Sequence, residues 1–191
     1  MYVCSPKTVW TMNKTIKLKD KAFSLYIPEQ EIVAAITRIA EEIRIDMEGK
    51  DPLFVGLLTG AYMFVAELLC KISPACEITF VAYRSYTGMK SDGIVQEILP
   101  LQVYRKDRTV ILLEDIVDSG LTMQYVTNKL HESGIEDVRL ATMLYKPNSL
   151  KCDIQLDYCG LEIDDEFVVG FGLDYDGLGR SLRDIYKIID N

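Results

Sequence analysis

Apolar residues recur at helical spacing in three parts of the chain. Between Pro28 and Gly49 they return every three to four positions, which predicts an amphipathic helix. The acidic residues that follow Pro28 suit the positive end of that helix. The same analysis predicts helices over residues 62–72 and 121–132, and Gly134 is placed to end the latter.

Short apolar runs between these helices predict strands. A run that is apolar on both faces is typical of a parallel strand covered by helices on each side. Strands that alternate with helices predict a doubly wound, mostly parallel α/β sheet, whose ligands bind at the carboxyl ends of the strands. Residues 84–93 are polar and are predicted to form a mobile loop. The predicted strands cover residues 53–58, 77–83, 109–113, 138–144 and 167–169.

The N-terminal 25 residues carry only a weak pattern and a small lysine cluster. The residues alone predict a solvated arm or an edge strand there. The cluster comprises Lys14, Lys17, Lys19 and Lys21.

Composition limits the classes of protein that need to be considered. The 191 residues are 49% hydrophobic and 26% charged, which is typical of a globular domain and excludes a disordered tail or a disulfide scaffold. The net charge of -8 provides no basic footprint for nucleic acid. A phosphate-bearing ligand must therefore be held locally, by backbone amides, a metal or a few cations.

The cysteines and the N-terminus indicate a reducing compartment. Five cysteines without a C-x-x-C pair give little support to structural zinc or to a secreted disulfide framework. Neither a signal peptide nor an apolar run near 20 residues is visible. We expect a cytoplasmic protein with no membrane partner. His131, the only histidine, is interpreted as structural, which argues against a His-based triad.

The segment Val110–Thr122 has the strongest pattern for chemistry. Four apolar residues lead into Glu114 and Asp115, two more follow, and Asp118-Ser119-Gly120-Leu121-Thr122 then opens a predicted helix. Adjacent carboxylates are too costly to bury unpaired, so we expect both to face a cleft, near sugar hydroxyls or Mg²⁺. Small residues and free amides at a helix N-terminus are typical of an anion site. A ribose phosphate fits both features; the alternative is a plain capping turn with Asp118 or Ser119 as N-cap.

This order of residues resembles the phosphoribosyl-pyrophosphate motif of type I phosphoribosyltransferases. Other segments resemble its hypoxanthine (hypoxanthine-guanine) branch, over about residues 30–187. The resemblance implies the type I fold with a small hood formed by terminal segments, in a single domain over 1–191 with residues 1–25 as an arm. The further matching segments are Phe167–Tyr175 with Arg180, Tyr145-Lys146-Pro147, the mobile-loop dipeptide Ser85-Tyr86, and Leu58–Tyr62 at the pyrophosphate loop.

By this resemblance, four residues are implied to handle the base. Asp118 accepts a hydrogen bond from purine N7 and acts as general base. Lys146 donates to the 6-oxo group, which implies a 6-oxopurine rather than adenine. Phe167 stacks on the purine, and the backbone of Val168 reads its edge.

The resemblance also implies the contacts of the sugar and the phosphates. Glu114 and Asp115 would hold the ribose hydroxyls, directly or through Mg²⁺, and Asp174 would bind a second Mg²⁺. Relatives often carry Lys where Thr59 stands, so one cation is absent from this loop. The other implied contacts are Ser119, Gly120, Leu121 and Thr122 for the 5′-phosphate, Arg180, Thr59 and Gly60 for pyrophosphate, and Ser85 and Tyr86 for closure.

The predicted reaction transfers a phosphoribosyl group from phosphoribosyl pyrophosphate to hypoxanthine and/or guanine, in purine salvage. Two alternatives stay open: a non-catalytic sensor of nucleotide or phosphoribosyl pyrophosphate, and a transferase for xanthine or a pyrimidine. The resemblance also implies a homodimer or homotetramer. No nucleic-acid partner is expected.

Overall fold

The computed structural model describes residues 15–73, 75–85, 95–100 and 105–189. These residues form two sheets and the helices that cover the larger one. Of the described helices, none is long and apolar enough to cross a membrane. In chain order the elements are β1 (Thr15–Leu18), β2 (Lys21–Ile27), α1 (Glu29–Asp46), β3 (Leu53–Leu58), α2 (Tyr62–Ile72), β4 (Glu77–Ser85), β5 (Val95–Leu99), β6 (Val110–Val117), α3 (Leu121–Glu132), β7 (Val138–Tyr145), a 3₁₀ turn (Pro147–Ser149), β8 (Tyr158–Glu162), β9 (Val168–Val169) and β10 (Ile185–Ile188).

The larger sheet has six strands in the order β5-β4-β3-β6-β7-β8. All neighbours are parallel except β5, which runs antiparallel along β4. Residues Ile111 and Leu113 of β6 pack in one core with α1 and α2, whereas Val110 and Leu112 pack in another with α3. Burial on both faces explains the uninterrupted apolar runs in the sequence and confirms the predicted doubly wound α/β sheet.

The smaller sheet joins the two ends of the described chain. Its order is β1-β2-β10-β9, and all of its pairs are antiparallel. Phe23, Val169 and Tyr186 form its core, and Phe23 is fully buried. This sheet is the hood formed by terminal segments that the resemblance implied.

Most predicted elements agree with the structure, and the differences have physical reasons. Helices α2 and α3 have the predicted bounds, whereas α1 ends at Asp46, before Gly49. Strand β6 does not end at residue 113, because parallel pairing with β7 continues to Val117 and Tyr145. The lysine-rich segment contributes β1, an edge strand, as one of its two interpretations had it. Strands β2, β5, β8 and β10 were missing from the prediction. The first two residues of the predicted loop, 84 and 85, belong instead to β4, where pairing with β5 extends the strand, and residues 86–93 of that loop lie outside the described residues.

Candidate active site

Two adjacent carboxylates lie inside β6 near its carboxyl end. The expectation that both face an open cleft is wrong for Asp115, which is only 7% exposed. Its Oδ1 accepts a hydrogen bond from the N–H of Ile116 at 3.0 Å, and the Asp115 N–H donates to Glu114 Oε1 at 3.3 Å. Backbone amides therefore supply part of the polar environment that makes this burial tolerable.

Burial also changes the acidity of this pair. Loss of hydration raises the pKa of Glu114 well above its ordinary value, and the nearby charge of Asp115 adds to the rise. Burial raises the pKa of Asp115 as well, although hydrogen bonds and the positive charge of Arg180 act in the opposite direction. Both carboxylates would thus gain from a cation placed beside them.

The turn after β3 presses its backbone against Asp115. A Cβ on Gly60 would lie 1.8 Å from Asp115 Oδ2, so only glycine fits there. On the other side, a Cβ on Gly172 would lie 2.0 Å from the Gly60 carbonyl oxygen. Gly60 is consequently held between β6 and the segment that follows β9, while Thr59 beside it is exposed.

Arg180 reaches the same place from the C-terminal part of the chain. Its guanidinium forms an ion pair with Asp174 Oδ1 at 2.6 Å and donates to the carbonyl of Gly172 at 2.7 Å. The other Asp174 oxygen accepts the N–H of Gly177 at 2.6 Å. The structure thus connects Arg180 and Asp174, through Gly172, with the Gly60 turn.

The turn from β6 into α3 has Gly120 as its N-cap, with φ of 78°, instead of Asp118 or Ser119. Ser119 Oγ, one residue before the N-cap, accepts the N–H of Leu121 only at the long distance of 3.5 Å. A Cβ on Gly120 would lie 2.9 Å from the Cys152 sulfur, so the following chain supports the loop from behind. A cleft of about 100 Å³ lies over this turn, and its lining includes Glu114, Asp118, Ser119, Gly120 and Thr122.

Lys146 follows β7 and is buried beside two carboxylates. Its Nζ lies 3.1 Å from Asp118 Oδ2 and 3.3 Å from Asp165 Oδ1. The structure therefore brings the two predicted base-handling residues, Asp118 and Lys146, into one ion pair. Asp165 is a residue that the sequence interpretation missed: carboxylates precede Phe167 in the chain, but spacing does not tell which of them turns toward Lys146.

Phe167 stands in a small aromatic group on the hood. Its ring centroid is 6.4 Å from that of Phe23 and 6.0 Å from that of Tyr175, with the latter pair edge to face. Phe167 is 47% exposed, whereas Val168 after it is buried. Phe23 was not predicted to belong here, since it lies in no motif; Tyr175 ends the matching segment Phe167–Tyr175, but no role was assigned to it.

The remaining predicted residues are only partly described. Ser85 is the last residue of β4, and Tyr86 lies outside the described residues. Leu121 is the first residue of α3 and is exposed. Within the described ranges, no group of three or more histidine, cysteine or acidic side chains forms a ready-made metal cage.

Comparison with known proteins shows the family to which this chain belongs. Residues 26–176 match the family model described as the phosphoribosyl transferase domain. The chain belongs to the phosphoribosyltransferase family, and its type I fold is shared with solved relatives.

Similar proteins include hypoxanthine and hypoxanthine-guanine phosphoribosyltransferases by name. One from Lactococcus lactis is 39% identical over 165 residues, covering 85% of this chain and 90% of the relative. A solved hypoxanthine phosphoribosyltransferase from Staphylococcus aureus has a TM-score of 0.82 at 34% identity, covering 87% of this chain and 91% of its own. The Trypanosoma cruzi hypoxanthine phosphoribosyltransferase, solved with its product IMP, has a TM-score of 0.80 at 28% identity and covers 91% and 97%. The resemblance stated from the sequence is confirmed.

Proposed function

We propose that this chain transfers the 5-phosphoribosyl group of phosphoribosyl pyrophosphate to hypoxanthine and/or guanine and releases pyrophosphate. The observation that carries this proposal is the ion pair between Lys146 and Asp118 beside the α3 cleft. A carboxylate can only accept hydrogen bonds, and an ammonium can only donate them. Together they suit a base that presents an N–H next to a carbonyl, as a 6-oxopurine does at N7 and at its 6-oxo group.

The reaction requires the base to lose its N7 proton as C1′ is attacked. Asp118 is the group that would take this proton, because its side chain is 54% exposed and lines the cleft that opens toward α3. Lys146 would stabilise the negative charge that develops on the 6-oxo group. Phe167 would cover one face of the purine, and the Val168 backbone would meet its edge.

The phosphates would be held mainly by backbone. Ser119, Gly120, Leu121 and Thr122 would bind the 5′-phosphate at the start of α3, where the N-cap is a glycine and the Leu121 N–H reaches Ser119 Oγ only at 3.5 Å. Arg180 with the Thr59 and Gly60 amides would receive the pyrophosphate. Ser85 and Tyr86 would close over the site, a role that stays a prediction.

The donor set fits Mg²⁺. Glu114 and Asp115 offer hard oxygen ligands whose burial disfavours their charged form, and a divalent cation would reverse that penalty. Mg²⁺ usually takes one or two carboxylates plus substrate phosphates and water. Glu114 and Asp115 would therefore hold one ion at the ribose, and Asp174 a second at the pyrophosphate. Bound Mg²⁺ would supply neutralisation of the leaving pyrophosphate.

A pyrophosphate-release assay tests the proposal. The protein, Mg²⁺ and phosphoribosyl pyrophosphate are incubated in parallel with hypoxanthine, guanine, xanthine, adenine and uracil. We expect turnover with hypoxanthine or guanine only. Turnover confined to xanthine or uracil would instead select the alternative base, and binding of phosphoribosyl pyrophosphate without turnover would select the sensor.

Replacing Phe167 with Ala should raise KM for the purine about tenfold, because a stacked aromatic contributes roughly 1–3 kcal/mol per base. KM for phosphoribosyl pyrophosphate should stay at its wild-type value. Ile45→Ala is a control at another exposed apolar position, 60% exposed on α1. Equal purine KM values for wild type and Phe167→Ala would remove the stacking role.

We further propose, on the family resemblance, a cytoplasmic protein that assembles as a homodimer or homotetramer. Sedimentation velocity at several protein concentrations measures the assembly directly. A monomer at every concentration would contradict this part of the proposal without affecting the reaction.

A further inference from the structure

The turn after β8 is held beside Lys146 by contacts at both of its ends. Parallel pairing of β7 with β8 continues to Tyr145 and Glu162, and the next N–H, of Ile163, donates to the Tyr145 carbonyl at 2.8 Å. At the far end, Glu166 Oε1 accepts from Lys187 Nζ of β10 at 2.7 Å. Asp165 lies between these two anchors, of which the first is backbone pairing and the second is a side-chain ion pair.

Lys146 is paired with two carboxylates, Asp118 and Asp165, which have different roles in the proposed reaction. The Lys146 side chain is 8% exposed, while those of Asp118 and Asp165 are 54% and 73% exposed. A buried ammonium is costly unless it is paired, and it has three N–H donors. Two donors point to Asp118 and Asp165. Among the described residues no side chain accepts from the third donor, which could therefore serve an acceptor on a ligand.

The proposed function, on which this inference rests, requires Asp118 to turn from Lys146 toward the N–H of the purine. Lys146 would then be a buried cation with one carboxylate fewer. We propose that Asp165 is a positioning residue for base recognition: it keeps Lys146 paired and in place while Asp118 is released to the purine. The 6-oxo group completes the donor set of the ammonium.

Without the charge of Asp165, Lys146 would be paired with Asp118 alone. The purine would have to compete with that ion pair for both of its contacts at once. The cost falls on capture of the base and not on the proposed sugar and phosphate contacts, which lie on β6, α3, the Gly60 turn and the segment with Asp174 and Arg180. The KM of the base is therefore the sensitive quantity.

The test compares Asp165→Asn with Asp164→Asn. Each removes one charge from the same exposed turn, but in the described part of the chain no side-chain bond to Lys146 involves Asp164. We expect Asp165→Asn to raise KM for hypoxanthine about tenfold, the scale of one hydrogen bond to a charged group. KM for phosphoribosyl pyrophosphate and the thermal midpoint should stay unchanged. Asp164→Asn should leave all three at wild-type values.

A double-mutant cycle shows whether Asp165 acts through Lys146. On a Lys146→Ala background, Asp165→Asn should have no further effect on kcat/KM for hypoxanthine. Asp165→Glu, which keeps the charge, should recover part of the loss. The same factor in both backgrounds, or the same KM rise for Asp164→Asn, would overturn the assignment.

Different results would overturn the proposed function and the role of Asp165. Wild-type protein that binds phosphoribosyl pyrophosphate but turns over no base overturns the function and, with it, the role of Asp165. Wild-type turnover of hypoxanthine together with an unchanged KM in Asp165→Asn overturns the role of Asp165 alone.

Discussion

Asp118→Asn should lower kcat about 10²–10⁴-fold, the usual contribution of a general base, and leave the fold intact. The amide cannot take a proton from the purine, yet its oxygen can still accept a hydrogen bond from Lys146, which lies 3.1 Å away in the wild type. The exposed position of Asp118 leaves the neighbouring packing unchanged. The loss should therefore be chemical rather than structural.

Steady-state turnover of hypoxanthine, with calorimetric binding of phosphoribosyl pyrophosphate and Mg²⁺, measures this result. Asp107→Asn is the matched control, since its exposed carboxylate precedes β6 at the opposite edge of the sheet. The variant should bind the sugar pyrophosphate as wild type does. A kcat equal to that of wild type would show that another group removes the proton.

Gly60→Ala should destabilise the protein by about 2–3 kcal/mol, at the upper end of ordinary overpacking, and lower Tm by roughly 5–10 °C. The new Cβ would stand 1.8 Å from Asp115 Oδ2, and Asp115 cannot yield freely because the N–H of Ile116 holds its carboxylate at 3.0 Å. Moving either group shifts the Gly60 turn against the β6 carboxylates. Activity should fall about 10²-fold, the cost of a misplacement near 1 Å.

Two further variants distinguish the effect of the steric clash at residue 60 from the general effect of replacing a glycine. Gly49 has φ of +73°, and a Cβ added there would have no atom within 4 Å. Gly49→Ala should therefore cost only about 1 kcal/mol of backbone strain and keep full activity. Asp115→Ala combined with Gly60→Ala removes every atom that the new Cβ meets first. The double variant should regain stability without regaining activity. Wild-type stability in Gly60→Ala alone would contradict the packing argument.

The sequence predicted the larger sheet well because its signals are local. Helices α2 and α3 and strand β3 are continuous patterns with clear ends, and their observed bounds match the prediction. The smaller sheet was harder to predict because its strands are short and pair with strands that are far away in the sequence. Ile27 of β2 pairs with Ile185 of β10, and no local pattern announces such a contact.

The candidate site shows the same division. A motif specifies residue types in order, so the β6 carboxylates and the α3 loop were found together. The motif does not specify how deeply a residue is buried. We expected Asp115 to face a cleft, but it is buried, because the Ile116 amide of β6 donates to its carboxylate and Gly60 packs against it. Nor does the motif specify distance: the Lys146–Asp165 contact depends on the register of β7 with β8.

The position of β10 between β2 and β9 has a consequence for the order in which the protein matures. Synthesis proceeds from the N-terminus, so the larger sheet and the α3 loop can be complete while Ile185–Ile188 are still absent. The sheet of the hood cannot, because among the described strands β2 and β9 each pair with β10 and not with each other. A chain that stops before Ile185 would keep the α3 loop, but it would leave Phe23 and Phe167 of the hood without the strand that pairs with both β2 and β9.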